Sequence, residues 1–236
     1  MQNKKWKKFE KLTDKCFLNL AGLGKDGKCW VQTFELLKEI VLEERKNNPA
    51  FAPELELLDD ATDYEYDIQG WVEDCLDEID MRGESETLLN MCNDLLNLFS
   101  WPEYTGSDIK FRKMSALSQL GKYKEAARYC KEWIQKEPEN IIAAAAGVYA
   151  YMGTEEYGEA EKLVDQFIID KTECSEENDI MFTAASKLYG AMGKRKEKKQ
   201  IDKAMKEYEE YLEKYMMDMD FGDDELDEMF DEFPFF

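Results

Sequence analysis

The chain has 236 residues, 44% of them apolar, with 31 Lys and Arg against 53 Asp and Glu and a net charge of −22. That apolar content is ample for one elongated helical domain or two small ones, while the charge repels nucleic acid and anionic membrane over most of the surface. There is no His, which removes the usual general base near neutral pH, the commonest metal ligand and every Ser-His or Cys-His dyad.

At the N-terminus, MQNKKWKKFEK carries charge with no continuous apolar region after it, so a secretory leader is not expected. A first pair of helices is predicted over Lys4–Leu20 and Lys28–Lys46, joined by AGLGKDG. Trp6, Phe9, Cys16, Phe17 and Leu20 fall on one helical face and need burial. The Lys residues of KKWKKFEK read as a solvated helix face rather than a nucleic-acid contact.

A second pair is predicted over Ala61–Asp80 and Ser85–Phe99, with Gly83 at the turn and Leu88 and Leu95 in close-packing positions. Its run DDATDYEYDIQGWVEDCLDEID places Asp63, Glu65 and Asp67 at calcium-ligand spacing. Ile68 stands where such a loop needs Gly, and Asp74 where it needs Glu. The better reading is an exposed acidic face with Trp71, Cys75 and Ile79 turned inward.

The next stretch repeats. Tyr123, Glu125, Ala126, Trp133 and Ile134 recur 34 residues later as Tyr157, Glu159, Ala160, Phe167 and Ile168. That period belongs to helix–turn–helix units in a solenoid. Gly121 suits a left-handed helix end, Ala126 lets two helices approach closely, Trp133 fills the space between units, and Pro138 stops the second helix.

On Gly121, Tyr123, Ala126, Tyr129 and Pro138, then more loosely Gly153, Tyr157 and Ala160, the stretch 107–170 resembles the tetratricopeptide repeat. It departs from that pattern at Lys110, Lys113, Met114 and Leu117, where the family has Trp, Leu, Gly and Tyr, and at Trp133, where the family has Ala. The second unit reads as having two extra residues in its turn. A last pair, Glu176–Met192 and Lys194–Tyr215 around Gly193, shares only the architecture, since Lys198 stands where Ala126 does. No segment alternates as a half-buried strand should.

The resemblance implies an all-α fold: a right-handed α-solenoid of about five antiparallel helical hairpins over 1–217, followed by an acidic tail over 218–236. Its first helices would line a concave face. Projected onto this sequence, that face holds Phe111, Arg112, Ser115, Ala145, Tyr149, Thr183 and Lys187. Arg112 and Lys187 would meet a ligand carboxylate, and Phe111 and Tyr149 would supply aromatic contact. The Lys and Asn that clamp a peptide carboxylate in some members are replaced by Phe111, Ser115 and Ala146, so chaperone-tail recognition is not expected. The run IIAAAAGVYAYMG reads as tight helix packing, with an open groove as the alternative.

Charge is uneven along the chain: residues 1–48 sum to +4, 54–103 to −15 and 218–236 to −9. In the tail, Leu226, Met229, Phe230 and Phe233 form one helical stripe, behind Asp223, Asp224 and Glu225 at the helix start. It reads as a cap on its own solenoid, as a helix-in-groove ligand for another chain or for its own concave surface, or as a disordered end, and it offers a route to self-association. The six cysteines lie apart without a CxxC and are expected as reduced core residues of a cytoplasmic protein.

The expected function is a non-catalytic scaffold that binds a protein or peptide, with no cofactor, metal, nucleic acid or membrane partner. An acidic inhibitor that mimics nucleic acid and occupies a basic groove is the alternative reading.

Overall fold

A computed structural model describes residues 2–23 and 27–218. Among these the secondary structure is entirely helical. The elements are α1 (Gln2–Leu20), α2 (Cys29–Asn47), α3 (Leu57–Ala61), α4 (Ile68–Met81), α5 (Ser85–Leu98), a 3-10 turn at Pro102–Tyr104, α6 (Ser107–Gln119), α7 (Tyr123–Lys136), α8 (Ile141–Gly153), α9 (Tyr157–Phe167), α10 (Asp179–Ala191) and α11 (Arg195–Asp218). Paired as α1–α2, α4–α5, α6–α7, α8–α9 and α10–α11, they give the predicted hairpins. Each long helix packs on its neighbours in the chain, and α6, α8 and α10 also pack on one another in turn. That arrangement is compatible with a helical repeat.

One turn recurs at the end of every first helix. The backbone N–H groups of Leu23, Glu84, Lys122, Glu156 and Lys194 donate to the carbonyls of Leu18, Ile79, Leu117, Tyr151 and Tyr189, each five residues back. This six-to-one bond closes a Schellman motif, which requires the preceding residue to be left-handed. Gly22, Gly83, Gly121 and Gly193 meet the requirement with φ between 69° and 72°.

In the α8–α9 hairpin the left-handed residue is Glu155, at φ 61°, 34 positions after Gly121. The turn therefore has the same length as its predecessor, and the two extra residues read from Gly153 are not there. Gly153 serves another purpose: a Cβ on it would lie 2.7 Å from Tyr123 Cδ1, so its absence lets the start of α7 approach the end of α8. A non-glycine residue in this conformation costs about 1–2 kcal/mol, partly offset by the lower chain entropy of Glu when unfolded. Glu155→Gly is thus expected to raise stability by up to about 1 kcal/mol in urea unfolding, and Gly121→Ala to lower it.

The acidic stretch before α4 also differs from expectation. In place of one helix from Ala61, α3 ends there and the chain breaks through Asp63, Tyr64 and Asp67, all at positive φ. The buried Asp59 carboxylate accepts the N–H of Ile68 at 2.5 Å and of Gln69 at 3.0 Å, so it caps α4 from outside that helix. Asp67 adds a bond from Gly70 at 3.3 Å. Trp71, Cys75 and Ile79 do face inward, buried.

Two apolar cores meet at α8. The larger runs from α1 through α7 and takes Ala143, Ala146 and Ala150; the smaller spans α8 to α11 and takes Ala144, Ala145 and Val148. Within the larger, Trp71 stacks on Trp30 and receives Phe9 edge-on, while Trp6 stacks on Tyr66. The predicted α1 stripe is buried only in part: Trp6, Phe9 and Cys16 are buried, whereas Phe17 is 44% and Leu20 50% exposed among the described residues. Lys5 ties α1 to α2 through Glu39 at 2.7 Å and through Glu43. Arg45 anchors the segment after α2, donating to the carbonyls of Phe51 at 3.0 Å, Ala52 at 2.5 Å and Leu98.

All six cysteines are free thiols, five of them buried. Burial pushes the Cys92 and Cys130 thiols up to about 12 and raises Cys16 and Cys75 as well, so they are unreactive core groups.

Candidate functional site

The register of α6 against α8 is fixed by one polar node. Asn140 Oδ1 accepts the N–H groups of Ile142 at 3.0 Å and Ala143 at 3.2 Å, capping α8. Its Nδ2 donates to Ser107 Oγ at 2.8 Å, at the start of α6, and to Glu137 at 2.7 Å. Trp133 Nε1 donates to the same carboxylate at 2.7 Å, and Lys110 pairs with its other oxygen. Burial works against the Glu137 charge, yet these hydrogen bonds from Lys110, Trp133 and Asn140 hold the carboxyl below its ordinary value.

With that register, α6 and α8 flank an open hollow of about 420 Å³. Phe111, Met114, Ser115 and Ser118 come from α6 and Tyr149 and Gly153 from α8, with Tyr123 and Gln119 at the rim. Phe111 and Tyr149 meet edge to face at 6.0 Å, and burial raises the Tyr149 phenol. No charged side chain lines the hollow. Gln119 is already engaged, donating to Asp80 at 3.0 Å. The volume lies within the roughly 300–1,000 Å³ of small-ligand pockets. The chemistry on offer is apolar contact with hydroxyls at the edge.

Of the residues projected onto this face, Phe111, Ser115 and Tyr149 come together in the hollow. Ala145 does not: it is fully buried in the core that α8 shares with α10. Arg112 is committed internally, to Asp77 at 2.6 Å and Asp108 at 2.7 Å. Burial opposes its charge, and those two hydrogen bonds outweigh it, raising its pKa. Thr183 is half-buried and Lys187 exposed, both on α10 and away from the hollow. The tail residues Leu226, Met229, Phe230 and Phe233 lie outside the described residues.

Met114, Ser118, Gln119, Tyr123 and Gly153 were not among the projected residues. Ser118 could have been found as the position one helical turn beyond Ser115. Tyr123 and Gly153 mark the repeat and its turns in the sequence, with nothing to place them at the hollow. Among the described residues no three His, Cys, Asp or Glu side chains are grouped to hold a metal ion. No helix there is long and apolar enough to cross a membrane. The chain matches no protein-family model, no curated protein and no solved structure.

Proposed function

We propose that the chain is a non-catalytic scaffold that binds a protein or peptide, built as a tetratricopeptide-like right-handed α-solenoid. Its working surface is the side presented by the first helices α4, α6, α8 and α10. The supporting observation is the uncharged aromatic hollow between α6 and α8, where Phe111 and Tyr149 are held edge to face beside two serines. Such a cavity accepts one aromatic or branched aliphatic side chain, while the serine hydroxyls bond to the ligand backbone.

Peptides selected from a random display library on the full chain test this reading. They are expected to share an apolar anchor residue and to lose affinity about tenfold, the worth of roughly 1.4 kcal/mol, when Ser118→Trp fills the hollow. Selected peptides that bind the filled variant equally well would move the working surface elsewhere.

A further inference from the structure

A second concavity, of about 240 Å³, lies where α4 meets the connection from α5 to α6 and the segment before α3. Its floor is apolar: Leu55, Val72, Leu76 and Ile109 are buried there and Trp101 forms a wall. That wall is fixed in place. Trp101 Nε1 donates to the Leu95 carbonyl at 3.2 Å, and Gly106 sits so close that a Cβ would lie 2.9 Å from the Trp101 side chain.

The rim carries Glu54, Glu56, Glu73 and Asp108. Asp108 is shared with Arg112 at 2.7 Å. Glu54, Glu56 and Glu73 have no ion-pair partner among the described residues, and Glu73 receives only a long bond from Gln69 at 3.4 Å. The surrounding segment 54–103 holds 16 acidic side chains and one basic. The rim is therefore net negative and gains from a cation.

We propose that this groove receives one lysine or arginine side chain of a basic protein partner, the aliphatic stem lying on the apolar floor against Trp101 and the charged head held by the rim glutamates. A long cationic side chain has this dual character, and the ring face of Trp101 adds attraction for the charge. At about 240 Å³ the groove is below the roughly 300–1,000 Å³ of small-molecule sites, which suits a single side chain better than a cofactor. The inference is independent of the hollow between α6 and α8.

The test uses the full chain, isotopically labelled, with a synthetic peptide of four Ala-Lys repeats. A second probe is the same peptide with every lysine acetylated, which keeps the stem and removes the charge. The lysine peptide is expected to move the Trp101 indole N–H resonance in a saturable way, leaving those of the buried Trp30 and Trp71 in place. Glu54→Gln combined with Glu56→Gln and Glu73→Gln should weaken binding about tenfold. An equal charge change on α11, Glu207→Gln with Glu210→Gln and Glu213→Gln, should weaken it less than about twofold. Matched melting curves establish that both triple variants fold.

Equal losses from the two variants would mean diffuse attraction to an acidic surface and overturn the proposal. So would undiminished binding of the acetylated peptide, or shifts confined to the α6–α8 hollow. An effect reproduced by calcium or spermine alone would assign the groove to a small cation instead.

Discussion

Trp71→Ala is expected to remove about 3–5 kcal/mol of stability, from a total that for a domain is about 5–15 kcal/mol. Trp71 is 2% exposed. It stacks on Trp30 of α2 at 6.0 Å and takes Phe9 of α1 on its edge at 5.2 Å, so one ring joins three helices. Its loss leaves a cavity that α4 cannot close, because Asp59 pins the first turn of that helix. In a thermal melt each kcal/mol lost lowers the midpoint by about 2–4 °C for a chain of this size.

Trp71→Phe separates packing from polarity. The Trp71 indole N–H is buried without a well-formed hydrogen bond, facing only the weak acceptor of the Cys16 thiol, and a donor left short of a full partner costs up to about 1–3 kcal/mol. Phe keeps most of the ring contact and removes that under-bonded donor, so its net loss should stay under about 1.5 kcal/mol. A Phe variant as unstable as the Ala variant would show that the indole nitrogen is satisfied in solution.

The hairpins were legible because their punctuation is local. Gly83, Gly121 and Gly193 each end a first helix in the left-handed turn that only glycine adopts freely, and Tyr123 and Tyr157 begin the second helices 34 residues apart. What the sequence concealed depends on partners distant in the chain. Asp59 caps a helix that begins nine residues later, so the acidic stretch reads as helix until the fold places it. Glu155 takes a conformation that its residue type disfavours, and Gly153 two positions earlier draws the eye to the wrong residue.

The candidate groove was half legible for the same reason. The resemblance to the tetratricopeptide repeat projects Phe111, Ser115 and Tyr149 onto a common side, and the structure gathers them into one hollow. Arg112 looked like a free cation, but its partner Asp77 lies 35 residues away on α4, beyond any local pattern. Ala145 looked like groove lining because one face of α8 was assumed open. α10 covers that face.

The covered face makes α8 the most demanding helix for substitution. An ordinary amphipathic helix turns one of two adjacent positions outward, yet Ala145 and Ala146 are both fully buried, one toward α9–α11 and the other toward α6 and α7. Leu at either position must displace packed neighbours, costing about 1–3 kcal/mol or more, whereas Ala191→Leu at the exposed end of α10 should change little. The two variants should also fail differently. In a chain whose helices pack mainly on their neighbours, stability is approximately a sum of local units, so strain at one core need not open the other. Hydrogen exchange is expected to speed first across α9–α11 in Ala145→Leu and first across α6 and α7 in Ala146→Leu. Identical exchange patterns in both would mean that the two cores open as one cooperative unit and that α8 is not a seam between them.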